Sequence, residues 1–576
     1  MKEIIKRFKP YVHYIILITV LLIVQAMSDL TLPEYMSEIV NVGIPSGDIN
    51  YILQKGGVML AIAAIGGLAT ICVSFLASRM GAGVAKSLRS DVFAKVESFS
   101  LAEFDKFSTA SLITRSTNDI QNIQMFAIMF LRMVLFSPIM AIGGIMKAGQ
   151  TNLSLMWILA VSVPLNLIFI ALLMGKLMPR FLKLQKQVDR LNQVSRESLT
   201  GTRVIRAFNT QKHEEERFDK ANNDLTDTHI YVNKTMAFMN PITQLLMNLT
   251  IIAIIWFGAQ KISQGALDVG GVMAFQQYSM HIMFSFMMIS FVFIMAPRAI
   301  VSIRRVGEIL STEVSIQDPE KPVLPTTETK GLVEFKNVGF SYPGAQDAVL
   351  RNVTFIARPG QTTAFIGSTG SGKSTLINLI PRFYDCTEGE ILIDGVNIRD
   401  YAQSDLREKL GYVPQKGMLF SGTVESNLRF GNESATEDEI MRSIEVAQAS
   451  EFISQKEDGI KSEIAQNGTN VSGGQKQRLS IARALMKKPE IFIFDDSFSA
   501  LDFKTDAALR KALKESTSEA TVLIVGQRIS TIMNAEQIVV LDEGDVVGIG
   551  THAQLMESCE TYREIATSQL SKEELA

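Results

Sequence analysis

Long apolar runs fill the first 300 residues of this 576-residue chain and then stop. Six stand out, at about 13–33, 57–78, 124–146, 152–174, 242–260 and 271–296. Each is close to the ~20 residues that an α-helix needs to cross a bilayer. So many long, nearly uncharged runs are hard to hide in a soluble core, so the pattern predicts six transmembrane helices in a lipid bilayer. Between runs two and three the chain turns polar but keeps apolar residues at helical spacing, as in SRMGAGVAKSLRSDVFAKVESF. The segment between runs four and five, LQKQVDRLNQVSRESLTGTRVIRAFNTQKHEEERFDKANNDL, does the same. The membrane helices are therefore expected to continue well beyond the bilayer. Each extension has a short break, EFDKFSTASLITRSTND in the first and SLTGTRVIRAFN in the second. These breaks are candidate contact points with the domain that follows.

At 311–328 the sequence changes to STEVSIQDPEKPVLPTTE, with several prolines and charges and no long apolar run. That composition suits a linker. After it, short β-type runs alternate with helical ones, the pattern of an α/β domain. No internal repeat is evident.

Charge sets an orientation. Basic residues gather at the start (Lys2, Lys6, Arg7, Lys9), between runs two and three (Arg79, Lys86, Arg89, Lys95, Lys106, Arg115) and between runs four and five (Lys176, Arg180, Lys183, Lys186, Arg190, Arg196). The segment after run one is poor in them. The positive-inside rule places the N-terminus and both long loops in the cytoplasm. No small-residue cleavage site follows the first apolar run, which is expected to be a retained helix and not a signal peptide. The net charge of −3 gives no basic excess of the kind that points to nucleic acid. Cys72, Cys386 and Cys559 are far apart and odd in number, and fit unpaired thiols in a reducing cytosol or membrane.

The strongest chemical motif is GSTGSGKST, comprising Gly367, Ser368, Thr369, Gly370, Ser371, Gly372, Lys373, Ser374 and Thr375. It matches G-x-x-x-x-G-K-[ST] in its required context, with TTAFIG before it as a strand and STLINLIPRF after it as a helix. Glycines let backbone amides wrap phosphates. Lys373 is expected to reach the β- and γ-phosphates of ATP, and Ser374 to bind Mg²⁺. About 120 residues on, IFIFDD ends an apolar strand in Asp495, a second candidate ligand for Mg²⁺.

Between these motifs lies NVSGGQKQRLSIARAL, with Val471, Ser472, Gly473, Gly474 and Gln475. It resembles the signature motif of ATP-binding-cassette (ABC) ATPases. Other residues agree with that family. Tyr342 in FSYPG matches its adenine-stacking aromatic. Gln415 in GYVPQ matches the glutamine that links Mg²⁺ to the membrane domain. SALD, Ser499 to Asp502, matches the loop that communicates across the dimer. FSTASLITRSTNDI and LTGTRVIRAFNTQKHEEERF look like the two cytoplasmic coupling segments of the family's exporters. The resemblance covers nearly the whole chain and is strongest to bacterial multidrug half-transporters. It implies a six-helix all-α transmembrane domain with coupling segments (1–310), a linker (311–328) and an α/β P-loop nucleotide-binding domain (329–576). It also implies a multi-pass protein of the bacterial cell membrane with a cytoplasmic ATPase domain. In this family ATP lies between the P-loop side of one domain and the signature side of another. One cassette per chain thus implies a dimer with two ATP sites.

Two departures from the family bear on catalysis. A glutamate normally follows the Mg²⁺-binding aspartate as the base that polarises water, and here Asp496 stands there. A switch histidine normally approaches the γ-phosphate, and here TVLIVGQRIS places Gln527. Aspartate is one methylene shorter, and a base displaced by about 1 Å can lose on the order of 10²-fold in rate. Glutamine can donate a hydrogen bond but cannot become cationic. Gln466 in AQNG also replaces an acid that is frequent in the family. With the binding residues kept and two catalytic positions changed, the chain resembles the degenerate-site subunit of heterodimeric exporters, whose partner is a second homologous half-transporter.

The sixth run packs Phe284, Phe286, Phe291 and Phe293 among Met280, Met283, Met287, Met288 and Met295. Methionine is flexible and polarizable and suits small amphipathic substrates of many shapes. Asp29 and Arg132 are rare residue types inside membrane runs and are candidate transport residues. The expected function is ATP-driven export of amphipathic or hydrophobic compounds. The alternatives are a lipid or peptide exporter, homodimeric or not, and a regulatory ATP-sensing subunit.

Overall fold

The computed structural model describes residues 2–325 and 330–570, without the side chains at 2, 290, 291 and 293–295. Phe291, Phe293 and Met295 of the methionine-rich run, and residues 326–328 of the expected linker, lie outside the described residues. The chain divides into two compact units. One holds Met1–Glu97 and Thr109–Thr312, the other Ser98–Ser108 and Glu313–Ala576.

The first unit is all helix. Five of its described helical stretches are long and apolar enough to cross a membrane: Glu3–Ser46, Ile49–Glu97, Thr109–Thr151, Leu153–Thr200 and Gln211–Ser263. The sixth apolar run lies on the 43-residue helix Val269–Ser311. The helix Ile49–Glu97 has 49 residues. At 1.5 Å per residue such a helix is about 70 Å long, more than twice a hydrocarbon core of about 30 Å. The extension beyond the membrane follows from that length. Side chains such as Ile65, Leu68, Phe75 and Trp256 remain exposed, as lipid-facing positions require. The interior packs Ala26, Leu30, Met140, Ile254, Phe275 and Tyr278. Toward the end of the last helix, Arg115 donates to the Arg305 carbonyl and the Glu308 carboxylate, both at 2.8 Å. Ser302 donates to Asp119 at 2.8 Å. The third span is not a regular α-helix. It is interrupted by π-helical turns at Arg115–Asp119 and Phe130–Val134.

The second unit is α/β. A six-stranded sheet runs in the order Asp545–Gly550, Gln537–Asp542, Thr362–Gly367, Thr521–Val525, Ile491–Asp495, Leu410–Val413. All its neighbours are parallel except the first pair. The strands Thr521–Val525 and Ile491–Asp495 are buried along their whole length, which explains their continuous apolar runs. An antiparallel sheet of Leu350–Ala357, Val333–Phe340, Glu388–Ile393 and Val396–Asn397 forms a second layer. A core of Phe335, Phe355, Phe365, Leu376 and Leu523 joins the two sheets. The segment expected to be a linker is tied to this unit. Val323 donates to the Asp400 carbonyl at 2.9 Å, and Asp318 accepts from the Gln403 backbone at 3.0 Å. The short helix Leu101–Phe107 also belongs here and overlaps the start of the first of the two sequence breaks.

Candidate nucleotide site

Parallel strands bring their carboxyl ends to one edge, where α/β sheets take ligands. Gly367 ends the strand that leads into the P-loop. A Cβ there would lie 2.0 Å from the Leu541 carbonyl oxygen, so only glycine fits. Gly372, at φ +94°, turns the loop into the helix Lys373–Leu379, and a Cβ there would meet Leu350 at 2.7 Å. The loop from Ser368 through Thr369, Gly370 and Ser371 is closed by a bond from the Ser371 amide to the Ser368 carbonyl at 3.2 Å. Lys373 Nζ folds over it, donating to the carbonyls of Gly367 at 2.9 Å and Ser368 at 2.6 Å, and to Ser371 Oγ at 3.2 Å. Burial pushes this ammonium below its ordinary pKa, while Asp496 and Asp495 pull it back up.

Ser374 Oγ donates to Asp495 Oδ1 at 3.1 Å. Burial raises the Asp495 carboxyl above the ordinary aspartate value, and neighbouring Asp496 adds to it, against the Ser374 bond and Lys373. Burial raises Asp496 too, against the hydrogen bond from Gln415 and the nearby Ser499 hydroxyl. Burial thus disfavours the charged form of both carboxyls, and Lys373 offsets part of that cost at each.

Asp496 sits at φ +45°, an uncommon conformation for a non-glycine residue. Its Oδ2 accepts from Gln527 Nε2 at 2.8 Å and from Gln415 Nε2 at 3.3 Å. Strand register produces this meeting. Val525 pairs with Asp495, and Val413 with Phe494, so Gln415, Asp496 and Gln527 leave three adjacent strands together. Gln527 is held in turn by Gln569, whose Nε2 donates to the Gln527 carbonyl at 2.9 Å.

Tyr342 lies at the other end of the loop, its hydroxyl 2.9 Å from Thr375 Oγ1. Tyr384, which sequence reasoning missed, meets the Tyr342 ring edge-on at 5.3 Å. Its hydroxyl donates to Asp105 Oδ2 at 2.7 Å. Burial and this bond raise the Tyr384 hydroxyl above its ordinary value. The only sequence signal was the run RFYD just after the P-loop helix.

Ser472 caps the helix Gly473–Met486 through a reciprocal pair of bonds with Gln475, 3.3 Å and 2.9 Å. Val471 is buried beneath the turn, and a Cβ on Gly474 would crowd the Ala500 carbonyl at 3.1 Å. A Cβ on Gly473 would meet nothing within 4 Å. Ser499 Oγ donates to the Asp496 carbonyl at 2.9 Å, and Asp502 caps the helix Phe503–Ser516.

The comparisons with known proteins agree with this architecture. Residues 15–286 match the family model of the ABC transporter transmembrane region, and residues 350–499 match that of the ABC transporter. An uncharacterized ABC transporter ATP-binding protein of Mycobacterium tuberculosis is 40% identical over 98% of this chain and 97% of its own length. The ATP-dependent lipid A-core flippase of Aliivibrio fischeri is 30% identical over 95% of this chain and 94% of its own. A solved bacterial Atm1-family ABC exporter with ATP bound shares the fold, with a TM-score of 0.81 at 24% identity over 98% of this chain and 99% of that one. The chain belongs to the ABC transporter family: it is a membrane protein whose second unit is an ATP-binding ATPase domain coupled to transport.

Proposed function

We propose that the chain is one subunit of a heterodimeric exporter of amphipathic or hydrophobic compounds, whose own ATP site binds MgATP but hydrolyses it poorly. Residues 1–310 serve as its transmembrane domain, 311–328 as linker and 329–576 as nucleotide-binding domain, with the ATPase side in the cytoplasm of a bacterial cell. Lys373 and the amides of Gly367–Thr375 hold the phosphates, and Tyr342 stacks on adenine. Residues Val471–Gln475 complete the partner's site. The serine hydroxyl, buried carboxylate and amide of Ser374, Asp495 and Gln415 are hard oxygen donors that fit Mg²⁺, and the raised Asp495 carboxyl is the electrostatic gap such a cation would fill. When bound, Mg²⁺ would neutralise the charge on the phosphate oxygens.

One observation carries the reading of poor hydrolysis: Asp496 Oδ2 is already engaged by the amides of Gln527 and Gln415. Burial makes this carboxylate more basic, which favours taking a proton from water. Its short reach and its two neutral amide donors work against it. No imidazole stands at position 527 to supply positive charge.

The test is to purify the chain alone and with a co-expressed homologue that carries a glutamate base and a switch histidine. The chain alone should bind MgATP and show little ATPase activity, and the pair should be active. A homodimer turning over ATP at ordinary transporter rates would sink the proposal. Lipid cargo is a second reading, favoured by the 30% identity to the lipid A-core flippase.

A further inference from the structure

Arg132 lies within the span Thr109–Thr151, inside the five-residue π-helical turn Phe130–Val134. It stands eight residues, or about 12 Å, into the apolar run that begins at 124, near the middle of a hydrocarbon core of about 30 Å. Single π-turns inside α-helices are frequent at functional sites, because the extra residue re-aims a side chain. Among the described residues Arg132 makes no ion pair or hydrogen bond. Asp29, the acid on the helix Val12–Glu38, is not bonded to it. A guanidinium at this depth without a counter-charge is costly.

Arg132 opens into a cavity of about 210 Å³, lined by Gln25, Thr70, Met129, Met133, Phe136 and Met288 among others. No carboxylate lines it among the described residues. Gln25 and Thr70 add neutral hydrogen-bonding groups, and the rest of the wall is apolar. The guanidinium fork matches a carboxylate or phosphate in two parallel hydrogen bonds. Methionines on the wall can follow tails of different shape.

We propose that this cavity is a headgroup subsite for amphipathic anions. Arg132 binds the carboxylate or phosphate, and Met129, Met133, Phe136 and Met288 cover the first carbons of the tail. The volume holds a headgroup and a short length of chain, so the remaining tail runs out along the helix faces. Cations of the same shape are rejected by Arg132. The inference rests on the export reading and names the charge of the cargo.

The test is direct binding, without ATP, to the full-length protein in phosphatidylcholine nanodiscs. Decanoate, decyl phosphate and decyltrimethylammonium are compared below their micellar concentrations. The two anions should bind roughly 10-fold or more tighter than the cation. Arg132→Gln should bring the ratio close to one, and Arg132→Lys should keep most of it. Arg180→Gln, a change at an exposed arginine stacked on Tyr231, should leave it intact. Equal binding of anion and cation to the unaltered protein overturns the subsite, whether or not the variants fold. So does an unchanged ratio in a folded Arg132→Gln protein. Adding phosphatidylglycerol separates two sources of the same chemistry: competition with decanoate identifies a lipid headgroup, and lack of it a free amphiphile. If anion selectivity is absent while ATP-driven efflux of other amphiphiles persists, the subsite falls and the export reading stands. If selective binding persists without any efflux, the export reading falls alone.

Discussion

The two ends of the nucleotide site are built to different standards. At the P-loop end, Lys373 donates into the loop, and beside it Ser374 is hydrogen-bonded to Asp495. At the other end, Asp496 is clasped by two neutral glutamines that stand on adjacent strands. The first arrangement holds a buried carboxyl, Asp495, whose charged form a bound Mg²⁺ would stabilise. In the proposed reading the second occupies the oxygen that would have to receive a proton from water. In the proposed reading binding rests on Lys373, Ser374 and Asp495 and hydrolysis on Asp496 and Gln527, with Gln415 shared between them, so one can be lost while the other is kept.

The largest effect is expected at Gly473. A side chain there meets nothing within 4 Å in this chain, so Gly473→Glu should fold normally. It should nevertheless lower hydrolysis at the partner's site by about 10³-fold, the scale of removing preorganised donors around a transition state. Unchanged ATPase in the assembled complex would contradict the shared-site geometry. The next effect is at the weak end itself. Asp496→Glu combined with Gln527→His should raise hydrolysis at this chain's own site by about 10²-fold, measured with the partner's base disabled. Each single change should give a smaller gain, and the two should not add, because both act on one transition state. A double variant as inactive as its parent would move the deficit elsewhere, most simply to the partner's signature motif.

Smaller effects probe the binding end. Burial raises Asp495 above its ordinary value of 3.8, so its ionised form is less favourable in the folded protein than in the unfolded chain. That penalty is fully present above the raised pKa and disappears as pH falls below the unfolded value of 3.8. Asp495→Asn should therefore raise the melting temperature of the nucleotide-free protein at pH 7, by an increment that shrinks toward pH 4. A constant increment across that range would remove the burial argument. The smallest effect concerns Tyr384→Phe, which deletes one hydrogen bond to Asp105 worth about 1 kcal/mol. Hydrogen exchange over Leu101–Phe107 should quicken by about 5-fold, and no change would show that packing alone holds the helix.

Legibility in the sequence follows the same division. The P-loop, the Asp495 strand and the signature turn are contiguous motifs, because each needs one short stretch of backbone in a fixed shape. The apolar runs located the membrane helices, since bilayer thickness imposes their length. The clasp on Asp496 joins positions 415, 496 and 527, and only strand register brings them together. Tyr384 and Asp105 are 279 residues apart, with no local pattern to link them. The π-turn around Arg132 was equally silent, because the residues there read as ordinary apolar helix. Gln415 was expected to link Mg²⁺ to the membrane domain, and its amide donates to Asp496 as well.

ATP at this chain's own site is proposed to be held and seldom cleaved. The most direct measurement loads the assembled complex with radiolabelled MgATP, chases with unlabelled nucleotide and identifies the label still bound after the partner's site has turned over many times. The retained label should be intact ATP at the site of Lys373. Retained label recovered as ADP, or label lost within one turnover of the partner, would contradict it.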